Sequence, residues 1–329
     1  MEPIKILVLG LGNFGHSWAS HVVPRCEGAE LIAAVDQRPE RWKGVPEDVP
    51  KFASLAEALE RVQPDLVVNA TPPEAHLPIN DELLRRGIPV LCEKPIADSL
   101  ENARRMGEVL RETGGFLMIG ENYRYHPVLR AAKELIASGE LGGIHHVSCR
   151  FRHFHPDYSM FYHGALAHPL MEDVTVHHLD LGRFLSGQEP VRVWCKESPA
   201  PYAWYGNRPA NASILTEMSG GALFHYEGTL ASPESTTTWN GSWEIECDSG
   251  VAIIEDDRLF LLRGGVKQEI PVAAPAEDSR IPMLREACAA LREHRLSESD
   301  FTDNLKTFRW MHAAIVSDAE GGWASIDGR

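Results

Sequence analysis

The sequence predicts two domains of different class. Residues 1–122 read as a doubly wound, parallel α/β sheet, and residues 123–329 as an open, mainly antiparallel sheet with helices. Three observations predict this. Up to about residue 122, short apolar runs alternate with helical spacing, the pattern of a parallel sheet covered on both faces. Further on, Trp243, Ile245 and Cys247 alternate with Glu244, Glu246 and Asp248, a period of two that buries one face and wets the other. The chain has 329 residues, enough for two hydrophobic cores.

The elements follow in order. Ile4–Leu9 is a branched apolar run closed by Gly10, the mark of a buried strand. Residues 14–23 have helical spacing, and residues 31–35 form the next strand. Residues 54–62 read as a helix with Ser54 as N-cap and Glu57 three residues on, a capping box. Residues 65–70 make a third strand, and 75–86 a helix stopped by Gly87. Strand Val90–Cys92, helix 100–112 and strand 116–119 complete the first domain. Beyond it, residues 126–138 and 170–185 are helices and 144–154 a strand. Asp248-Ser249-Gly250, Asp256-Asp257 and Gly264-Gly265 punctuate the next strands, so residues 241–272 form an antiparallel meander. Helices return at 281–293 and 303–319.

Charge and composition exclude several classes of partner. Lysine and arginine total 32 against 47 aspartates and glutamates, a net charge of −15. Without a basic stripe, such a charge repels nucleic acid. The pairs Arg85-Arg86 and Arg104-Arg105 are solvated helix faces, too short to make one. No apolar run approaches the ~20 residues of a membrane span. Six scattered cysteines without a Cys-x-x-Cys spacing read as reduced, buried thiols, and hence as a cytoplasmic protein. A small molecule remains as the expected partner.

Gly10-Leu11-Gly12-Asn13-Phe14-Gly15 is G-x-G-x-x-G, placed directly after a strand and at the opening of a helix. Asp36 ends the second strand, 21 residues past Gly15. This is the context of a dinucleotide-binding Rossmann domain. Gly10 permits the tight turn, Gly12 lets the backbone approach a pyrophosphate, and Gly15 lets the helix pack close to the strand. Asn13 and Phe14 open that helix, whose free N–H groups face the phosphates. Asp36 should accept from the adenosine ribose hydroxyls, which favours NAD. Gln37 and Arg38 follow it, and a guanidinium from Arg38 or Arg41 is the feature that accommodates a 2′-phosphate, so NADP remains the alternative.

More specific residues follow. Strand Val90–Cys92 ends in Glu93-Lys94-Pro95, downstream of the turn Thr71-Pro72-Pro73. Together with the glycine turn this resembles the Gfo/Idh/MocA family of glucose–fructose oxidoreductase, inositol dehydrogenase and rhizopine-catabolism proteins. Asn122-Tyr123-Arg124-Tyr125-His126-Pro127, the helix Asp173…His177…Asp180 and the tail Asp303-Asn304…Ala313-Ala314…Ser317…Gly321-Gly322 are similar too. The resemblance spans essentially the whole chain. It implies an NAD(P)-dependent dehydrogenase acting on a CH–OH group of a sugar, inositol or related polyol. It also implies a second domain that binds substrate and pairs subunits, giving a homodimer or homotetramer. Lys94 matches the lysine that hydrogen-bonds the reacting oxygen. Asp173 and His177 match the polar pair on the substrate-domain helix, with the histidine as general acid/base. Thr71, Pro72, His76, Glu93, Lys94 and Asn122 complete the expected cofactor-binding set. One departure stands out: many members carry glycine two residues after the aspartate, and this chain has Thr175.

Local physics leads to the same residues. Open α/β sheets bind ligands beyond the carboxyl ends of their strands, and Lys94 lies two residues past one. Asp173 and His177 are four apart, on one helix face, while His178 points elsewhere. Eight of the 15 histidines lie between His145 and His178. His153 and His155 have the two-residue spacing of one strand face, but no His-Glu-x-x-His or cysteine companion accompanies them, so no metal is expected. Arg124, Arg152, His155, Tyr158 and Tyr162 read as substrate-binding residues, since polyols need donors and acceptors beside apolar surface. Tyr202, Trp204 and Tyr205 fit either a pocket wall or a subunit contact. Two other functions compete: a hydrolase or lyase that oxidises a glycoside transiently, and a non-catalytic NAD-binding regulator.

Overall fold

In a computed structural model, residues 2–154, 166–201 and 207–326 are described. The chain divides into two compact units, Met1–Tyr125 with Ala276–Leu305, and His126–Pro275 with Lys306–Arg329. The first unit is built on six strands: β1 (Ile4–Leu9), β2 (Ala29–Val35), β3 (Lys51–Phe52), β4 (Leu66–Asn69), β5 (Val90–Cys92) and β6 (Leu117–Ile119). They lie in the order β3-β2-β1-β4-β5-β6, and every neighbouring pair is parallel. The order reverses between β1 and β4, the point at which an open sheet offers a crevice at its carboxyl edge. Ile6, Leu7 and Val8 are fully buried, as are Leu66, Val67 and Val68. These apolar runs lack alternation because helices cover both faces.

The connecting helices are α1 (Asn13–Ser17), α2 (Val23–Arg25), α3 (Leu55–Arg61), α4 (Pro73–Arg85) and α5 (Leu100–Thr113). Ser54 caps α3, its hydroxyl accepting the Glu57 N–H at 3.2 Å, as the capping box requires. The single helix expected over residues 14–23 is instead widened into an i→i+5 turn over Trp18–Val22 before α2. Pro24 is the physical reason: it has no N–H for the Ser20 carbonyl, and its ring crowds that carbonyl. α4 starts two residues earlier than its spacing suggested, because proline is well tolerated in a first turn.

Beside the boundary expected at residue 122, the first unit runs to Tyr125 and takes in Ala276–Leu305. Helix α8 (Arg280–Glu293) returns to the first unit, where Ile281, Met283, Leu284, Ala287 and Cys288 share a core with Ile6, Val8, Trp18 and Val22. Its apolar face finds its partner some 250 residues back in the chain, and no local pattern announces that pairing.

The second unit begins with α6 (Pro127–Ala137) and β7 (Ile144–Arg152), and then α7 (Val176–Ser186). Strands β8 (Pro190–Pro199), β9 (Pro209–Met218), β10 (Leu223–Thr229), β11 (Ser242–Cys247), β12 (Gly250–Glu255), β13 (Arg258–Arg263) and β14 (Val266–Ile270) follow. Helix α9 (Phe301–Glu320) and β15 (Ala324–Ser325) end the described chain. The nine strands lie in the order β14-β13-β12-β11-β7-β10-β9-β8-β15. All pairs are antiparallel except β7 with β10. The meander is as expected. Its loops Asp256-Asp257 and Gly264-Gly265 have positive φ at both residues, the turn whose twist matches a hairpin. All six cysteines are buried and free, and no helix among the described residues is long and apolar enough to cross a membrane.

One ion pair in this unit makes stability depend on pH. His168 Nδ1 lies 2.6 Å from Glu197 Oε2, and the Glu197 side chain is only 1% exposed. That hydrogen bond raises the His168 pKa above its ordinary value, against the opposing effect of burial. A histidine raised on folding stabilises fully below its unfolded pKa of ~6.5 and ceases to do so as pH rises through the folded value. Urea unfolding should therefore show wild-type stability declining on the alkaline side of ~6.5. Glu197→Gln should flatten that part of the curve, and an unchanged slope in the variant would rule out the pair as its source.

Candidate active site

The glycine turn is shaped by two close approaches. Gly10 has φ +84°, and a Cβ there would lie 2.9 Å from Ala70 and Thr71 backbone atoms. At Gly15 a Cβ would come within 1.6 Å of the Gly10 carbonyl oxygen, so α1 touches the end of β1. Gly12 is different. A Cβ there would meet only Arg41, at 3.8 Å, so packing within the unit gives no reason for glycine. A cradle left open beside the turn fits a bound pyrophosphate. Asn13 and the half-exposed Phe14 follow at the start of α1.

Asp36 at the end of β2 is locked to this turn. Its Oδ2 accepts the Leu11 N–H at 2.8 Å and Arg41 at 3.3 Å, and its Oδ1 accepts the Arg38 N–H at 2.9 Å. Burial opposes ionisation, but these donors outweigh it and hold the carboxyl below its ordinary pKa. Asp36 is thus a fixed anion at the strand's exit. Gln37 and Arg38 beside it are exposed.

Three successive strand ends build the rest of the edge. Asn69, the last residue of β4, accepts the Thr71 N–H and hydroxyl on Oδ1, and its amide donates to Asn80 at 2.7 Å. Thr71 is half-buried and Pro72 exposed. His76 is fully buried between the Thr71 carbonyl, 2.8 Å from Nε2, and the Pro95 carbonyl, 3.0 Å from Nδ1. Burial lowers its pKa against the pull of the two carbonyls, and a neutral ring, with one N–H, donates to one carbonyl and only packs against the other. Beyond β5, Glu93 accepts the Trp18 indole N–H at 2.7 Å, and Lys94 is half-buried. Asn122 donates to the Ser279 hydroxyl at 2.8 Å.

Two residues of this edge are enclosed. Arg124, read as a substrate contact, is only 4% exposed. Its guanidinium donates to the Asp303 carboxylate at 2.6 Å and to the Glu298 carbonyl at 2.8 Å. An arginine so enclosed supports the loop. Glu121 was not singled out at all, yet it is fully buried with its Oε1 accepting the Asn304 amide at 3.1 Å. Burial pushes its pKa up to about 7, against the pull of Arg124, the Asn304 amide and Lys94. Its sequence signal was a charged residue two places after the apolar run Leu117–Ile119.

In the second unit, Met171–Thr175 is an i→i+5 turn that leads into α7. Asp173 lies in the wide turn and is half-buried; His177 lies in the first turn of α7 and is 4% exposed. Wide turns of this kind are frequent at functional sites. Thr175 has a defined task. Its hydroxyl donates to the Tyr226 oxygen at 3.1 Å, and that oxygen lies 3.3 Å from His178 Nδ1. His178 Nε2 lies 3.0 Å from the Trp239 carbonyl. Burial drives the His178 pKa down to about 3, so the ring is neutral. Nε2 then carries the proton to the carbonyl, and Nδ1 accepts from Tyr226. The residue that replaces glycine here fixes a buried chain behind His177. Asp180 is likewise structural, 1% exposed and accepting the Thr307 hydroxyl at 3.1 Å.

Arg152, the other arginine expected to contact substrate, ends β7. It follows Phe151, whose ring packs 5.1 Å from His178 of α7. Successive strand residues face opposite sides, so Arg152 lies on the sheet face away from α7, paired with Glu227. His153 stacks on Trp239 with ring centroids 4.3 Å apart. His155, Tyr158, Tyr162, Tyr202, Trp204 and Tyr205 lie outside the described residues.

With this geometry in view, the comparisons with known proteins are decisive. A family model described as an oxidoreductase family with an NAD-binding Rossmann fold matches residues 4–121, and the GFO/IDH/MocA C-terminal domain matches residues 129–253. The chain belongs to the GFO/IDH/MocA oxidoreductase family. Residues 4–121 match the family's NAD-binding domain. An uncharacterized protein, y4oX, of Sinorhizobium fredii is 28% identical, across 95% of this chain and 93% of that one. An inositol 2-dehydrogenase of Rubrobacter xylanophilus is 32% identical, but the match covers 59% of this chain and 56% of that enzyme. Among solved structures, an oxidoreductase from Agrobacterium radiobacter, crystallised with NAD+, L-tartaric acid and magnesium, shares the fold with a TM-score of 0.89. It is 22% identical, with 98% of each chain covered.

The two glycines give a discriminating test. Gly15→Ala should cost about 3 kcal/mol or more in urea unfolding, the upper end of overpacking, because its Cβ has no room. Gly12→Ala should leave unfolding nearly unchanged but weaken NAD binding by calorimetry about tenfold, or ~1.4 kcal/mol. Equal effects of the two substitutions on stability would show that the cradle at Gly12 is not kept for a ligand.

Proposed function

We propose that this oxidoreductase is an NAD-dependent dehydrogenase that moves a hydride between the nicotinamide and a hydroxyl or keto carbon of a sugar, inositol or related polyol. The observation that carries this reading is Lys94, placed past β5 on the carboxyl edge that also holds the glycine turn and the fixed carboxylate of Asp36. The names of relatives such as inositol 2-dehydrogenase support the substrate class. A homodimer or homotetramer in the cytoplasm fits the family resemblance and the reduced cysteines.

NAD supplies the hydride acceptor when bound. The chain's own residues supply the rest. Lys94 donates a hydrogen bond to the reacting oxygen and stabilises negative charge developing there. His177 takes the hydroxyl proton, since the ordinary histidine pKa of ~6.5 lies near working pH. Asp173, one helical turn away, orients the hydroxyl or the imidazole. Neutral His178, held by Tyr226 and Thr175, keeps the start of α7 in place without adding a competing charge.

Two measurements test this. His177→Ala should lower turnover on the true substrate by about 10²–10⁴, the usual worth of general acid–base catalysis, with NAD affinity little changed. Near-normal turnover in that variant would remove His177 from the role of base. Titrating both cofactors into the free enzyme should show tighter NAD binding, because Asp36 repels a 2′-phosphate. Tighter NADP binding would mean that Arg38 and Arg41 outweigh the carboxylate.

A further inference from the structure

β5 and β6 are neighbours, and Cys92 pairs with Ile119 at their carboxyl ends. Lys94 and Glu121 each lie two residues beyond that pair, at the same edge of the sheet. The chain between them is tightly constrained. The Gly120 N–H donates to the Cys92 carbonyl at 2.8 Å, and a Cβ on Gly120 would lie 3.3 Å from Glu93 Oε2. Glu121 has no exposed surface. A carboxyl group so enclosed is costly unless it is paired and hydrogen-bonded. The Asn304 amide supplies the hydrogen bond, and Arg124 and Lys94 supply positive charge. Arg124 divides its charge between Glu121 and the Asp303 carboxylate, which it contacts at 2.6 Å. Lys94 is the second cation acting on Glu121.

We infer that Glu121 is a positioning residue whose carboxyl group anchors the Lys94 ammonium and sets its proton affinity, and thereby its strength as a donor to the reacting oxygen. The inference rests on the proposed role of Lys94 in the dehydrogenase. It has a chemical consequence near neutral pH. Burial pushes the Glu121 pKa up to about 7, so its charge changes there. Among the described residues, the charged groups around it include Lys94 and Glu93 after β5, Arg124 after β6, and Asp303 at the start of α9. With Glu121 ionised, the ammonium is held in its charged form. With Glu121 neutral, Lys94 gives up its proton more readily. Two groups coupled in this way titrate as a pair.

The test reads Lys94 itself, so it needs no known substrate. The 329-residue chain without cofactor is labelled with trace acetic anhydride at a series of pH values, and Lys94 acetylation is followed by peptide mass spectrometry. In wild type the labelling rate should rise about tenfold per pH unit, flatten near pH 7 as Glu121 ionises, and then rise again. Glu121→Gln, which keeps the hydrogen bond from Asn304, should lose the flattening and label about tenfold faster at pH 8, equivalent to one pKa unit. Glu121→Asp, which retains the charge, should restore the flattening. A wild-type profile that climbs through pH 7 without a shoulder overturns the proposal, as does a Glu121→Gln profile that matches wild type. If Glu121→Gln fails to fold by circular dichroism, the wild-type profile alone decides. If the shoulder is present but no sugar or polyol reduces NAD, the dehydrogenase reading fails while the Glu121–Lys94 coupling stands.

Discussion

The close approach of α1 to the end of β1 is the constraint on which the first unit depends. Gly15 lies against the Gly10 carbonyl with no room for a methyl group. That contact sets where the helix starts. It therefore sets where the Leu11 N–H points, and so which oxygen of Asp36 it holds at 2.8 Å. A helix displaced outward by one side chain would release Asp36 from the turn. The fixed carboxylate and the open cradle at Gly12 are two consequences of one packing decision.

Further along the edge, positioning passes from backbone to side chains. His76 spans two strand-end loops through the Thr71 and Pro95 carbonyls. A neutral ring donates to one of these carbonyls and packs against the other, and it introduces no charge that needs compensation. Glu121 and Arg124 are the opposite case. Both are buried and ionisable, and leaving either unpaired would be strongly destabilising. Their partners, Glu298, Asp303 and Asn304, come from the loop before α9 and its first turn. Those residues thus complete the unit electrostatically, as the apolar face of α8 completes it by packing.

What the sequence made legible follows the range of the interaction involved. The strands β1, β4 and β5, the Ser54 cap and the hairpin turns all express rules that act within a few residues. Asp36 was legible because a fixed spacing joins it to the glycine turn. β3 was not, since two residues cannot display a period. The roles of Arg124 and Glu121 were hidden for a different reason. Their partners lie about 180 residues away, and nothing near either position shows whether it is buried. The face that Arg152 occupies was not legible. The strand period was visible, but only the position of α7 against Phe151 shows which face is occupied.

Thr175 shows how a departure from a family pattern can be read physically. Glycine at that place would leave the Tyr226 hydroxyl without this donor. Threonine fills it, and the chain from Thr175 through Tyr226 and His178 to the Trp239 carbonyl then has a single direction of donation. A chain with one direction admits one tautomer of His178. Because the ring is neutral and fully buried, that tautomer persists across the physiological pH range. The residue next to it, His177, therefore sits on a helix turn whose neighbouring side chain carries no charge near neutrality.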